Sequence, residues 1–115
     1  MRTYNDARIH SLRNPTEQVE YILSNSSTGI LINGKREGLC RSKNEHAYWY
    51  SFLKSNKLHG EYKHHSTNGC VISNYFNINN ERVEELDDLV NEPRDESFYF
   101  TLSLYGIDKE YTIGA

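Results

Sequence analysis

The sequence predicts an α+β fold, an antiparallel β-meander accompanied by one N-terminal helix and one short acidic helix. Three observations lead there: turn dipeptides recur from residue 33 onward, apolar and polar residues alternate between them, and nine Tyr, four Phe and one Trp stand against a single Met. Asn-Gly and related pairs suit tight hairpin turns because both central residues need positive φ, and aromatic side chains favour pleated, half-exposed strands.

Residues 2–12 (RTYNDARIHSL) alternate loosely and suggest a first strand. Asn14-Pro15-Thr16-Glu17 then supplies an N-cap, a proline at the first helical position and a glutamate at the third. That pattern predicts a helix of about ten residues. Its apolar stripe would be Val19, Ile22 and Leu23, with Asn25-Ser26-Ser27 as its end. From residue 28 the period becomes two, with turns expected at Asn33-Gly34, Lys43-Asn44, Asn56-Lys57, Asn68-Gly69 and Asn79-Asn80. Asn80 is placed to cap a second helix over residues 81–90, with Val83, Leu86 and Val90 on one face, the acids in water and Pro93 as the stop. Beyond it Phe98, Phe100, Leu102 and Leu104 alternate with Tyr99, Thr101, Ser103 and Tyr105. This predicts a strand that pairs with a last one over 109–113 across Gly106-Ile107-Asp108.

A chain of 115 residues has room for one core, so residues 1–115 are read as a single domain. No window approaches the roughly 18 apolar residues of a membrane span, and Met1-Arg2 opens no apolar leader, so a cytoplasmic protein with no membrane partner is expected. Cys40 and Cys70 have neither a CxxC spacing nor a cluster of ligands around them, which predicts two reduced thiols. Net charge is −3, unevenly spread: residues 1–80 carry ten Lys and Arg against six Asp and Glu, and residues 81–96 carry two against eight.

The hairpin region repeats. Gly34-Lys35-Arg36-Glu37-Gly38-Leu39 aligns with Asn56-Lys57-Leu58-His59-Gly60-Glu61-Tyr62, Gly38 over Gly60, at a period of 22, and a degenerate third copy starts at Asn80-Glu81-Arg82. The stretch Phe52-Leu53-Lys54-Ser55-Asn56-Lys57-Leu58-His59-Gly60-Glu61-Tyr62-Lys63, followed by Asn68-Gly69 and Tyr75, resembles the MORN-variant repeat. The match covers about residues 30–80. That family runs a similar phrase along meandering hairpins and occurs in bacterial antitoxin-like proteins and in phage and large-virus proteins. The resemblance implies MORN-like hairpins and a binding scaffold without catalytic residues or cofactor. The third copy lacks the Gly-Glu-Tyr core, and residues 1–27 and 97–115 lie outside the match. Gly60 in mid-strand independently marks a bulge, or a place where an aromatic from the neighbouring strand lies over bare backbone.

Register decides which face is free, because a slip of one residue exchanges the faces. With Ser55-Asn56-Lys57 as a three-residue loop, Phe52 faces Gly60, Tyr50 faces Tyr62 and Tyr48 faces His64. One face then collects Tyr48, Tyr50, Phe52, Leu58, Tyr62, Val71 and Tyr75 as the core. The other carries Trp49, Leu53, His59, Glu61, Lys63, His65 and Ile72, a mixed surface of the composition used for recognition. A two-residue turn at Asn56-Lys57 would instead make Trp49 core.

Four histidines (His46, His59, His64, His65) fall close together, but neighbours on a strand point to opposite sides, and residues four apart are separated by roughly 13 Å, too far to share an ion. No metal site is expected. The expectation is a small non-enzymatic module that binds another protein, with Trp49 and Tyr62 as anchors and Lys63, His65, Glu84, Glu85 and Asp88 giving orientation and steering. The resemblance specifies it further as a phage or mobile-element inhibitor of a bacterial defence enzyme, acting in the host cytoplasm. The acidic run then imitates phosphates toward a nucleic-acid-handling partner. A pI near 5.9 argues against nucleic acid as the partner itself. The alternative is a small nucleotide-binding or phosphodiester-cleaving protein in which His59 or His65 moves a proton and Lys63 neutralises a phosphate. Unpaired sheet edges also leave a homodimer open.

Overall fold

The computed structural model describes residues 18–113. Seven strands follow one another in chain order to form one antiparallel sheet: β1 (Val19–Leu23), β2 (Ser27–Ile32), β3 (Lys35–Lys43), β4 (Ala47–Lys54), β5 (Lys57–Ser66), β6 (Val71–Ile78) and β7 (Glu81–Arg82). A one-turn helix α1 (Glu84–Asp87), a longer helix α2 (Glu96–Leu104) and a 3-10 turn (Lys109–Tyr111) complete it. The fold is the expected α+β arrangement around a β-meander.

Hairpins β2–β3, β4–β5 and β6–β7 each close on two residues at positive φ: Asn33-Gly34, Ser55-Asn56 and Asn79-Asn80. In every case an asparagine ties its turn to the hairpin before it. The backbone N–H groups of Asn33, Asn56 and Asn80 donate to the carbonyls of Gln18, Arg36 and Leu58 at 2.7, 3.1 and 2.9 Å. Their Oδ1 atoms accept from the N–H groups of those same three residues at 2.9, 2.8 and 2.7 Å. Each turn thus continues the ladder where ordinary pairing stops, and satisfies backbone groups that would otherwise be open.

The sequence period is also structural. Between Thr28↔Arg41 and Ile30↔Glu37, and again between Ser51↔Tyr62 and Leu53↔Leu58, the second strand of the hairpin carries two extra residues. Gly38 (φ 74°) and Gly60 (φ 112°) sit in these bulges. A Cβ on Gly60 would stand 2.5 Å from the Tyr111 carbonyl oxygen and 2.7 Å from the Tyr111 Cβ. The bare backbone is needed because Tyr111 of the 3-10 turn rests on it, and Phe52 of the neighbouring strand β4 also comes close, its Cβ 3.2 Å from the added atom.

The core lies on one side of the sheet. Leu39, Phe52 and Phe76 meet Leu86 of α1, Phe98 and Leu102 of α2, and Ile107 and Tyr111. A smaller cluster on β1 and β2 joins Ile30 and Ile32 with Val19 and Tyr21. Polar clamps hold the C-terminal segment down. Glu61, fully buried, accepts from Arg94 Nη2 at 2.8 and 3.1 Å and from the Ile113 N–H at 2.8 Å, and His59 Nε2 donates to the Gly106 carbonyl at 2.6 Å.

Several local expectations are corrected. Val19–Leu23 is a strand, not part of a helix. Its β-branched and aromatic residues pair with β2, burying Val19 and Tyr21 against Ile30 and Ile32. The Asn14-Pro15 start and the strand over 2–12 lie outside the described residues. The acidic helix is confined to Glu84–Asp87, because Asn79-Asn80 is spent on a hairpin turn and Glu81–Arg82 pair with β6. Val83, Leu86 and Val90 nevertheless face the core together, as expected.

The Phe98–Leu104 stretch is helical, not a strand. Asp95 caps it by accepting from the Phe98 N–H at 3.0 Å, and Gly106 (φ 79°) ends it with Ile107 N–H donating to Leu102 and Gly106 N–H to Ser103. The expected final strand over 109–113 is a 3-10 turn, and Gly106-Ile107-Asp108 is therefore a helix exit, not a hairpin turn.

Register is corrected as well. The β4–β5 turn is Ser55-Asn56, so Tyr50 pairs with Lys63 and Ser51 with Tyr62. Because side chains alternate along a strand, Tyr50 and Tyr62 project from opposite faces, and the tyrosines do not form one inward-facing set.

Candidate functional site

The corrected register gives the sheet two different sides. Phe52, Tyr50 and Tyr48 share one side with His59, Glu61, Lys63, His65 and Phe76, and the helices pack on that side. Trp49, Ser51 and Leu53 share the other with Leu58, Tyr62, His64, Ser73 and Tyr75. No helix among the described residues lies against this second, open side.

On the open side two stacked pairs run across β4, β5 and β6. Trp49 stacks on His64 with ring centroids 4.9 Å apart and 15° between planes, and Tyr62 stacks on Tyr75 at 4.8 Å and 21°. Both are cross-strand pairs set by the ladder, Trp49↔His64 and Tyr62↔Tyr75. Arg82, from the short edge strand β7, extends the row with its guanidinium 4.6 Å from the Tyr75 ring centroid. Asp87 fixes that guanidinium from α1 with two hydrogen bonds of 2.9 and 2.8 Å. Burial holds the Tyr62 phenol above the ordinary tyrosine range, and the neighbouring Tyr75 adds to the effect. The row is therefore a pre-ordered, half-buried aromatic strip that ends in the Arg82 guanidinium.

The seven residues singled out from sequence do not form one patch. Trp49 and Tyr62 are on the open side. Lys63 and His65 are on the helix side, opposite Tyr50 and Tyr48 respectively, with the His65 ring edge-on to Tyr50 at 5.6 Å. Glu84, Glu85 and Asp88 are exposed on and just after α1. Glu85 accepts a hydrogen bond from the Tyr105 hydroxyl at 2.9 Å, which raises the Tyr105 phenol above its usual range. The set His59, Lys63 and His65 also comes apart. His59 is buried beneath Tyr111, whose ring it meets edge-on at 5.1 Å, and its Nε2 is spent on Gly106. A general base needs reach to a substrate proton, and His59 has none from this position.

Sequence reasoning missed His64, Tyr75 and Arg82 as surface groups, and also Phe100 and Leu104, which stand 65 and 69% exposed, one turn apart, on the outside of α2. The first three follow from register alone, and the last two were hidden by the strand reading. Cys40 is buried beside Arg36, and burial pushes its thiol up, which makes it a poor nucleophile. Among the described residues no three His, Cys, Asp or Glu side chains converge as a metal set, and no helix is long and apolar enough to cross a membrane.

The chain matches no family model, no curated protein and no solved structure.

Proposed function

We propose that this protein is a non-enzymatic binding module that engages another protein through the open side of its meander. One observation carries the reading: the Trp49–His64 and Tyr62–Tyr75 stacks, continued by Arg82, lie on a sheet face that no described helix covers. Trp, Tyr and Arg are the residue types that dominate interface energetics, and rings already ordered by stacking lose little freedom on binding. The exposed acids of α1 stand at the β6–β7 end of the same sheet, where they steer a basic partner into place.

The partner proposed is a nucleic-acid-handling bacterial enzyme, with this chain as its phage- or mobile-element-type inhibitor in the host cytoplasm. The repeat phrase and its regular bulges at Gly38 and Gly60 support that specification. Expression of the full chain in a bacterium carrying a defence nuclease is expected to restore phage plating. Trp49→Ala is expected to weaken partner binding by about 30-fold, the effect of losing about 2 kcal/mol at one anchor, and to abolish the rescue. Equal rescue by wild type and Trp49→Ala contradicts the reading.

A further inference from the structure

We infer that the helix side of the sheet carries, at the end that α2 leaves uncovered, a second site that binds a nucleotide through its phosphates and base. Arg41, Tyr50 and Lys63 lie in register across β3, β4 and β5, and Lys43, Tyr48 and His65 form the next row on the same side. Four basic residues therefore surround two tyrosines. The Arg41 guanidinium sits 5.8 Å from the Tyr50 ring centroid. Arg41, Lys43 and Lys63 form no ion pair with a described carboxylate; among the described residues the pairs made are Arg82–Asp87 and Arg94–Glu61.

Beside these rows a cavity of about 240 Å³ opens between the β1–β2 turn and the ends of β3 and β4, lined among others by Ser27, Thr28, Arg41, Lys43, Tyr48 and Tyr50. Hydroxyls and cations of this kind recognise phosphate oxygens. The Tyr48 ring, 39% exposed, stacks on no described ring and is available to a base. The cavity is smaller than the roughly 300–1,000 Å³ that encloses a drug-sized ligand, so it suits one nucleotide unit held by part of its surface. The unit can be a free nucleotide or one residue of a single strand. The net charge of −3 conceals this site, because the acids are gathered in residues 81–96.

Isothermal titration calorimetry of the full chain with ATP, inorganic triphosphate and an oligothymidylate of about ten nucleotides tests the assignment. ATP is expected to bind saturably and to quench Trp49, the only tryptophan, which also borders the cavity. Arg41→Glu and Lys43→Glu should each lower the affinity about ten-fold or more, and Lys57→Glu, outside the cluster, should leave it unchanged. Tyr48→Ala should weaken ATP about ten-fold and leave triphosphate unaffected. An oligothymidylate that binds more tightly than ATP and responds to the same variants assigns the site to a strand, and the opposite order assigns it to a free nucleotide. No saturable binding, or affinity for ATP indifferent to Arg41→Glu and Lys43→Glu, or equal affinity for ATP and triphosphate, overturns the inference. Trp49 borders both the cavity and the aromatic strip, so two other variants separate the tests: Tyr62→Ala is expected to weaken partner binding and leave ATP affinity unchanged, and Arg41→Glu is expected to do the reverse.

Discussion

Gly60 shows how much one residue decides in this fold. At φ 112° it accepts a backbone geometry that L side chains avoid, and its missing Cβ leaves the space that the Tyr111 backbone occupies. Gly60→Ala should therefore cost about 2–4 kcal/mol from backbone strain and overpacking together, measured by urea unfolding. Gly34→Ala, also at positive φ but with nothing within 4 Å of the added methyl, should cost only about 1 kcal/mol. Equal costs would mean that contact with the C-terminal segment is not what Gly60 provides. The position of Gly60 and its bulge were legible in the sequence because glycine in mid-strand has few other uses. The identity of the residue above it was not, since Tyr111 arrives from 51 positions later through an exit loop that carries no local mark.

Among the elements, the hairpins were readable, the acidic helix was readable in place but not in length, and α2 was not readable, for physical reasons that differ. Turn residues at positive φ are chemically restricted, so Asn33-Gly34 and Asn79-Asn80 locate themselves. The middle turn misled by one place because Ser55, an uncommon choice, takes the first positive-φ position. That single step moved Tyr62 to the opposite face from Tyr50. In α2 the alternation of Phe98, Phe100, Leu102 and Leu104 matches a strand, but only Phe98 and Leu102 are buried, the i, i+4 pair of a helix. Asp95 as cap and Gly106 as stop were the signals that could have revealed it.

The asparagine ties make a separable prediction. Asn80→Gly keeps the backbone geometry and loses the side-chain bond to Leu58, and should cost about 1 kcal/mol. Asn80→Ala loses both and should cost about 2 kcal/mol. The same unfolding experiment on both variants checks the order.

The whole molecule is asymmetric in layers and in charge. One side of the meander is clad by α1, α2 and the 3-10 turn, and the other presents its aromatic strip. Cladding depends on the clamp between Glu61 and Arg94. Arg94→Ala leaves a fully buried carboxylate without its cation and should destabilise the chain by about 3 kcal/mol or more, lowering the thermal midpoint by roughly 10 °C or more. The meander itself was visible in the sequence as turn spacing, but which side is clad could not be, because parity hangs on one turn residue. Site-specific photo-crosslinking measures the consequence most directly. With p-benzoylphenylalanine in place of Tyr62, cells containing the partner should yield one saturable protein adduct, and the same probe in place of Phe100 should yield none. Adducts from the Phe100 position alone would contradict an open side that does the binding.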